Sequence, residues 1–174
     1  TVGVIREDPE KGIVEIAKPV GVVAAVVPST NPAATPANKA MMALKGRNAI
    51  IFSPSPKGAT TMKLLLRYIH EELAKVGAPL DLVQMLPYVN KGLTHELMQQ
   101  ADLVTVTGSA NNVRAGQTSG KPNLCVSAGN VVSIVDASAN IKEAARKIKL
   151  SKTYDYATSC SSDNSVVIEA AVYD

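Results

Sequence analysis

Two periods divide this chain. Short, nearly continuous apolar runs alternate with stretches in which apolar residues return every three or four positions. The first kind predicts strands and the second amphipathic helices. Residues 2–5 and 13–17 flank a charged turn, Arg6-Glu7-Asp8-Pro9-Glu10-Lys11-Gly12, and are expected to form a hairpin or edge pair. Residues 21–27, small and β-branched throughout, predict a strand buried on both faces, stopped by Pro28-Ser29-Thr30-Asn31-Pro32. A helix over 33–45 follows, with Gly46 as its C-cap, and then a strand over 49–52 closed by Ser53-Pro54-Ser55-Pro56. In the clearest helix Met62, Leu65, Leu66, Ile69, Leu73 and Val76 share one face, and Gly77 and Pro79 end it. His70 lies one position off that stripe and is expected at the surface.

Further along, the pattern predicts a strand over 82–86 and a short helix over 94–101 with Thr94 as N-cap. A strand over 103–106, a helix starting across 109–115 and strands over 123–127 and 131–135 come next. Residues 138–150 form a basic amphipathic helix with Ile141, Ala144, Ala145 and Ile148 inward, and 166–168 a last short strand. Strand and helix alternate across short turns. That order implies an α/β fold: an open, mostly parallel twisted sheet with helices on both faces.

Composition narrows the function classes. Hydrophobic residues make up 46% of the 174 positions and aromatics 3%, so alanine, valine, isoleucine and leucine fill a single core. The net charge of +3 is spread without a basic block, and few aromatic rings are available for base stacking, which argues against nucleic acid as a partner. No apolar run is long enough to span a membrane, and no signal peptide is present. Cys125 and Cys160, far apart, make no disulfide framework and suit a reducing, cytoplasmic setting. The chain starts at Thr1 rather than a methionine, as a piece of a longer protein would.

Ligands of such sheets bind where the strands end. In Pro28-Ser29-Thr30-Asn31-Pro32 two prolines fix the backbone around an amide; Asn31 either donates to a developing oxyanion or caps the next helix. Thr107-Gly108-Ser109 lies at a strand-to-helix junction where a phosphate can approach backbone N–H groups. Ser119-Gly120-Lys121-Pro122 is a sharp turn whose lysine is either functional or simply exposed. His95 has no second metal-type ligand at useful spacing. Cys160 sits in Thr158-Ser159-Cys160-Ser161-Ser162, a small, polar loop. As a lone cysteine it is either inert or, as the best intrinsic nucleophile among side chains, reactive.

The order of these turns is more informative than any one of them. Pro28-Ser29-Thr30-Asn31-Pro32, the stretch from Lys45 to Pro56, Thr107-Gly108-Ser109, Ser119-Gly120-Lys121-Pro122 with Ala128-Gly129-Asn130, and finally Cys160 resemble the aldehyde dehydrogenase superfamily over essentially the whole chain. More narrowly they resemble its CoA-acylating branch, and within that branch the wording is most similar to the sulfoacetaldehyde enzymes. The resemblance implies a Rossmann-like coenzyme-binding domain over 1–150 and, over 151–174, the start of the catalytic segment. It implies Cys160 as nucleophile, with Asn31 and the Cys160 N–H on the oxyanion. It implies Pro28, Ser29, Thr30, Ser53, Pro54, Ser55, Thr107, Gly108 and Ser109 as the cofactor-binding set for NAD or NADP, in a groove shared with coenzyme A. No metal is implied, and the full-length protein is expected to be a homo-oligomer.

Two departures from the wider superfamily matter. Hydrolytic members carry a Glu-Leu-Gly-Gly-Lys segment, where this chain reads Gln117-Thr118-Ser119-Gly120-Lys121. Glutamine has no basic lone pair to take a proton from water, so the acyl thioester is expected to wait for a thiol. Where hydrolytic members tend to have Lys-Pro-Ser-Glu, this chain has Ser53-Pro54-Ser55-Pro56. Losing that acid removes a repulsion against a 2′-phosphate, so NADP is admissible, with Lys57 as a possible partner for the phosphate. The expected reaction converts sulfoacetaldehyde, coenzyme A and NAD(P)+ to sulfoacetyl-CoA and NAD(P)H. The rival readings are a hydrolytic aldehyde dehydrogenase and a non-catalytic nucleotide-binding module.

Overall fold

Gly3–Asp8 (β1) and Ile13–Ala17 (β2) pair antiparallel as a two-stranded ribbon with a register shift between Val4 and Arg6. The computed structural model describes residues 2–173, and the chain divides into two compact units, Thr1–Ser127 and Ala128–Asp174.

The first unit is built on a five-stranded sheet. Its elements are Val22–Val27 (β3), Ala34–Lys45 (α1), Ala49–Pro54 (β4), Ala59–Lys75 (α2), Val83–Met85 (β5), Lys91–Gln100 (α3), Leu103–Thr107 (β6), Ala110–Gln117 (α4) and Asn123–Val126 (β7). The strands lie in the order β5-β4-β3-β6-β7, and every neighbouring pair is parallel. The expected α/β architecture is the observed one.

β3 is buried on both faces because it has a helix layer on each side. Val23, Ala25 and Val27 pack with Ala40 and Ala43 of α1 and Met62 and Leu73 of α2. Ala24 and Val26 pack on the opposite side with Leu97 and Met98 of α3 and Val113 of α4. Phe52, the single phenylalanine, is fully buried in the first of these layers. Alanines at 24 and 25 let both helix layers approach the central strand, as a core poor in aromatic rings requires.

Helix ends account for most differences from expectation. α2 stops where predicted: Gly77 takes the left-handed position, its N–H reaching Ala74 O and the Ala78 N–H reaching Leu73 O. Gly46 is the C-cap of α1 as expected; the left-handed residue is the next one, Arg47, and the Asn48 N–H reaches back to Ala43 O. α3 starts at Lys91 rather than Thr94, because Asn90 is its cap and accepts from the Gly92 N–H at 2.7 Å. Gly92, a poor helix former, conceals that start in the sequence. His70 is half-buried rather than superficial, with Nε2 2.7 Å from Val83 O, and so ties α2 to β5.

The second unit is a βαβ motif: Val131–Val135 (β8), Ile141–Thr153 (α5) and Asp163–Ile168 (β9), with β8 and β9 parallel. α5 begins three residues later than 138. Asn140 caps it, accepting from the Glu143 N–H, while Ser138 is spent in a turn on Asp136 Oδ1. Of the four residues expected inward on α5, Ala144 and Ile148 are half-buried, and Ile141 and Ala145 are exposed.

α4 meets the sheet through Gly116, which is buried against Val106 and Cys125. A Cβ there would lie 2.6 Å from Val106 Cγ2 and 2.8 Å from Cys125 Sγ, closer than packed atoms approach. Gly116→Val is therefore expected to destabilise the chain by about 1–3 kcal/mol, measured as a lower denaturant midpoint at unchanged slope.

Candidate active site

The strand order reverses at one place. The chain runs outward from β3 through β4 to β5, then returns to the other side of β3 for β6 and β7. The segments leaving the carboxyl ends of β3 and β6 therefore diverge and leave a crevice, the usual ligand position of an open α/β sheet. The segment after β3 is Pro28-Ser29-Thr30-Asn31, and Thr107 ends β6 with Gly108 and Ser109 following. Two of the predicted groups thus meet at one topological feature. The stretch after β4 is tied to the same edge by the Ser55 N–H, which donates to Val27 O at 3.2 Å. A depression of about 490 Å³ along α2, lined by residues such as Lys63, His70 and Leu80, contains none of them.

At Asn31 the two readings, cap and donor, fall on different atoms of one amide. Its Oδ1 accepts from the Ala34 N–H at 3.1 Å, at the start of α1. Because an N–H can only be met by an acceptor, the carbonyl end of the amide must be the end facing the helix. The Nδ2 donors are left over, held by an exposed residue whose orientation the cap has set.

Ser109 caps α4, its Oγ 3.5 Å from the Asn112 N–H. Gly108 N–H is taken by Val126 O. Among the described residues the N–H groups of Ser109, Ala110 and Asn111 have no acceptor. Three unspent donors at the positive end of a helix fit a phosphate group. Ser53, by contrast, turns its hydroxyl inward: it is buried and 2.7 Å from Thr94 Oγ1. Pro54 is buried, Ser55 half-buried and Lys57 exposed. Gln117 is the last residue of α4 and is exposed. Ser119 anchors the following turn through Gly116 O, and Lys121 is half-buried.

Within the second unit, the Ser162 N–H donates to Ser159 O at 3.2 Å and closes a four-residue turn with Cys160 at its second position. Cys160 is exposed, and among the described residues its N–H has no acceptor. Gly129 packs directly on the Cys160 carbonyl, where any side chain would collide, so this glycine seats the turn. Ahead of it, Asp155, Tyr156 and Ala157 are consecutive left-handed residues with φ of 49°, 53° and 57°. Such a run costs about 1 kcal/mol or more per residue. Thr158 Oγ1 braces it, 2.7 Å from both the carbonyl and Oδ2 of Asp155.

Cys125 is a contrasting thiol: half-buried in β7, with its pKa pushed up chiefly by burial. Sequence reading also missed Lys39. Its Nζ reaches Thr105 Oγ1 at 3.3 Å and Val26 O at 3.5 Å, bridging β6 and β3. Burial lowers its pKa from 10.5 to about 8, with the Cys125 thiolate opposing. A signal was present, since Lys39 falls three after Pro36 and four before Ala43, on the buried stripe of α1.

Residues 2–174 match the aldehyde dehydrogenase family. An acylating sulfoacetaldehyde dehydrogenase of Cupriavidus necator is 62% identical over 174 residues, covering 99% of this chain and 35% of that protein. An acetylating aldehyde dehydrogenase structure from Geobacillus thermoglucosidasius matches with a TM-score of 0.90 and 41% identity, over 99% of this chain and 38% of the other. A Rhodopseudomonas palustris propionaldehyde dehydrogenase, solved with bound CoA and an acylated cysteine, matches with a TM-score of 0.83 and 29% identity, over 91% and 37%. The chain spans about a third of the length of the curated relatives it matches.

Two measurements check this geometry. Iodoacetamide is expected to label Cys160 at least ten-fold faster than Cys125, by peptide mass mapping, since Cys160 is exposed while Cys125 is half-buried with its thiol pushed up by burial. For Lys39, the folded state resists the charged form. Its destabilising effect is thus complete below pH 8 and relieved as pH rises toward 10.5, because in that window the unfolded chain binds the extra proton. Lys39→Met should be more stable than the parent at pH 7, with the difference between denaturant midpoints shrinking steadily from pH 8 to 10.5.

Proposed function

The chain belongs to the aldehyde dehydrogenase family, and from that premise we propose that it carries the coenzyme-binding part and the nucleophile of a CoA-acylating member. The reaction is aldehyde plus coenzyme A plus NAD(P)+ giving acyl-CoA plus NAD(P)H. Residues 1–150 are assigned the coenzyme and residues 151–174 the nucleophile segment. Sulfoacetaldehyde is the proposed aldehyde, on the 62% identity to the Cupriavidus necator enzyme of that name. The observation that carries the acylating assignment is Gln117, exposed at the end of α4 with no carboxylate to offer.

In this mechanism the Cys160 thiolate adds to the aldehyde carbon, forming the C–S bond and placing the carbonyl electron pair on oxygen. The free Cys160 N–H and the uncommitted Asn31 Nδ2 are the donors assigned to that oxygen. NAD(P)+, when bound, accepts the hydride that leaves the carbon, and a Cys160 thioester results. Water does not remove the acyl group, because neither a glutamine amide nor a neutral serine hydroxyl takes a proton from it near pH 7. The coenzyme A thiolate attacks instead, the C–S bond to Cys160 breaks, and the thiolate returns.

The three N–H donors before and within the first turn of α4 are the proposed pyrophosphate contacts, with Thr107, Gly108 and Pro28 to Thr30 forming the crevice walls. Ser53, Pro54 and Ser55 are assigned to the same cofactor-binding set, Ser53 without its hydroxyl, which is paired with Thr94. Pro56 in place of an acid admits NADP as well as NAD. No helix among the described residues is long and apolar enough to cross a membrane. We assign the whole protein to the cytoplasm, as a homo-oligomer acting on small molecules.

The test is the product. With sulfoacetaldehyde, coenzyme A and NAD(P)+, the full-length protein is expected to yield sulfoacetyl-CoA by mass. Gln117→Glu should divert a measurable share of flux to the free acid. Free acid as the sole wild-type product would overturn the assignment.

A further inference from the structure

β9 enters its ladder with one residue too many. Asp163 stands opposite Val131 and Ser165 opposite Val132, so Asn164 has no partner in register, and from Ser165 to Ile168 the pairing with β8 is regular. Bulges are rare in parallel pairs and gather beside active sites, where they re-aim a side chain. This one comes four residues after Cys160.

Strand parity gives its effect. Val131 and Ser133 share a face of β8, because successive side chains alternate. Their partners Asp163 and Val166 are three apart, a spacing that puts two residues of a regular strand on opposite faces. The extra residue brings Asp163 round to the Ser133 side, and there Ser133 Oγ donates to Asp163 Oδ1 at 2.9 Å. Without Asn164 the ladder would turn Asp163, and with it the exit of the Cys160 turn, to the other face.

Asn164 also commits its side chain here. Its Nδ2 donates to Asn130 Oδ1 at 2.7 Å. Asn130 follows Gly129, the residue on which the Cys160 carbonyl packs. Two contacts thus bracket the turn, Gly129 against Cys160 and Asn130 against Asn164. One contact fixes a distance, and two fix an orientation. Both asparagines are exposed, so a neutral hydrogen bond between them adds little to folding. What it holds is the aim of the turn.

We infer that the Asn130–Asn164 amide pair is a positioning device for Cys160: it locks the bulge that aims the turn, so that Sγ and the free Cys160 N–H meet one aldehyde together. This rests on the nucleophile assignment proposed above. Neither asparagine is assigned a contact with the aldehyde. Sγ must reach the carbon while the N–H meets the oxygen, and both belong to one residue, so a rotation of the turn misplaces both at once. A misplacement of about 1 Å costs on the order of 100-fold in rate.

The readout is kcat in the full-length protein, with aldehyde KM and the thermal midpoint measured beside it. Asn130→Ala and Asn164→Ala are each expected to lower kcat about 10- to 100-fold with KM and midpoint unchanged. The double alanine variant should be no worse than either single one, since both remove the same interaction. Asn130→Asp keeps the acceptor and should recover most of the rate. Four results overturn the inference: an unchanged kcat, a loss that falls on KM or follows a lowered midpoint, losses that multiply in the double variant, or an Asn130→Asp variant no better than Asn130→Ala. A parent that turns over no aldehyde defeats the reaction proposed above, and amide exchange then decides. The Ser162 N–H, held by Ser159 O, should exchange about ten-fold faster or more in either alanine variant than in the parent, and equal exchange overturns the inference. A parent that releases free acid defeats the CoA step alone and leaves kcat to test the asparagines.

Discussion

Everything in the first unit hangs on the pairing of β3 with β6. Once β3 is buried between two helix layers and β4 and β5 occupy one side of it, the returning chain can pair only on the other. Polar ties run along this pair from end to end. Asp102 Oδ2 accepts from the Val22 N–H at 2.8 Å, and the Asp102 N–H returns to Val22 O at 2.9 Å. Thr105 Oγ1 donates to Ala24 O, and Lys39 bridges Val26 and Thr105 nearer the crevice. The crevice is where these two strands cease to be neighbours, so its width follows from their register rather than from the loops.

That dependence explains how much was legible in the sequence. Strand and helix positions in the first unit follow from apolar period, because the sheet has helices on both faces and every period has a partner. Asn90 and Asn140 were missed as helix starts for one shared reason. A short amide caps locally, and nothing in the apolar period registers it. Lys39 was missed because a charge on a helix reads as solvated unless its place in the buried stripe is weighed against it. In the second unit the pattern overstated burial. Ile134 is 78% exposed, Val167 55%, and Val135 alone of the described β8 and β9 residues is buried. Apolar period there reports what the strands could bury, and the unit itself buries little of it.

The candidate site was legible by order and not by geometry. Five turns in the right sequence pointed to one chemistry, but only the strand order placed Pro28–Asn31 and Thr107–Ser109 at one crevice. Asn31 shows why local reading stalls: the two readings of its amide look exclusive until its acceptor and donor ends are counted separately, since accepting from Ala34 leaves the donors unspent. Ser53 shows the opposite, a residue at the right strand end whose hydroxyl Thr94 has claimed.

The loop around Cys160 is rich in hydroxyl groups and poor in free bases. A free carboxylate there would be able to take a proton from water. Serine hydroxyls are not. Each donates one hydrogen bond, and none is basic enough near neutral pH to take a proton from water. The carboxylates of Asp155 and Asp163 are hydrogen-bonded by Thr158 and Ser133, and Gln117 has no carboxylate to offer. Donor-rich and base-poor are thus two aspects of one composition. On the reading proposed above, a thioester at Cys160 meets no free base in its own loop and waits for a thiol.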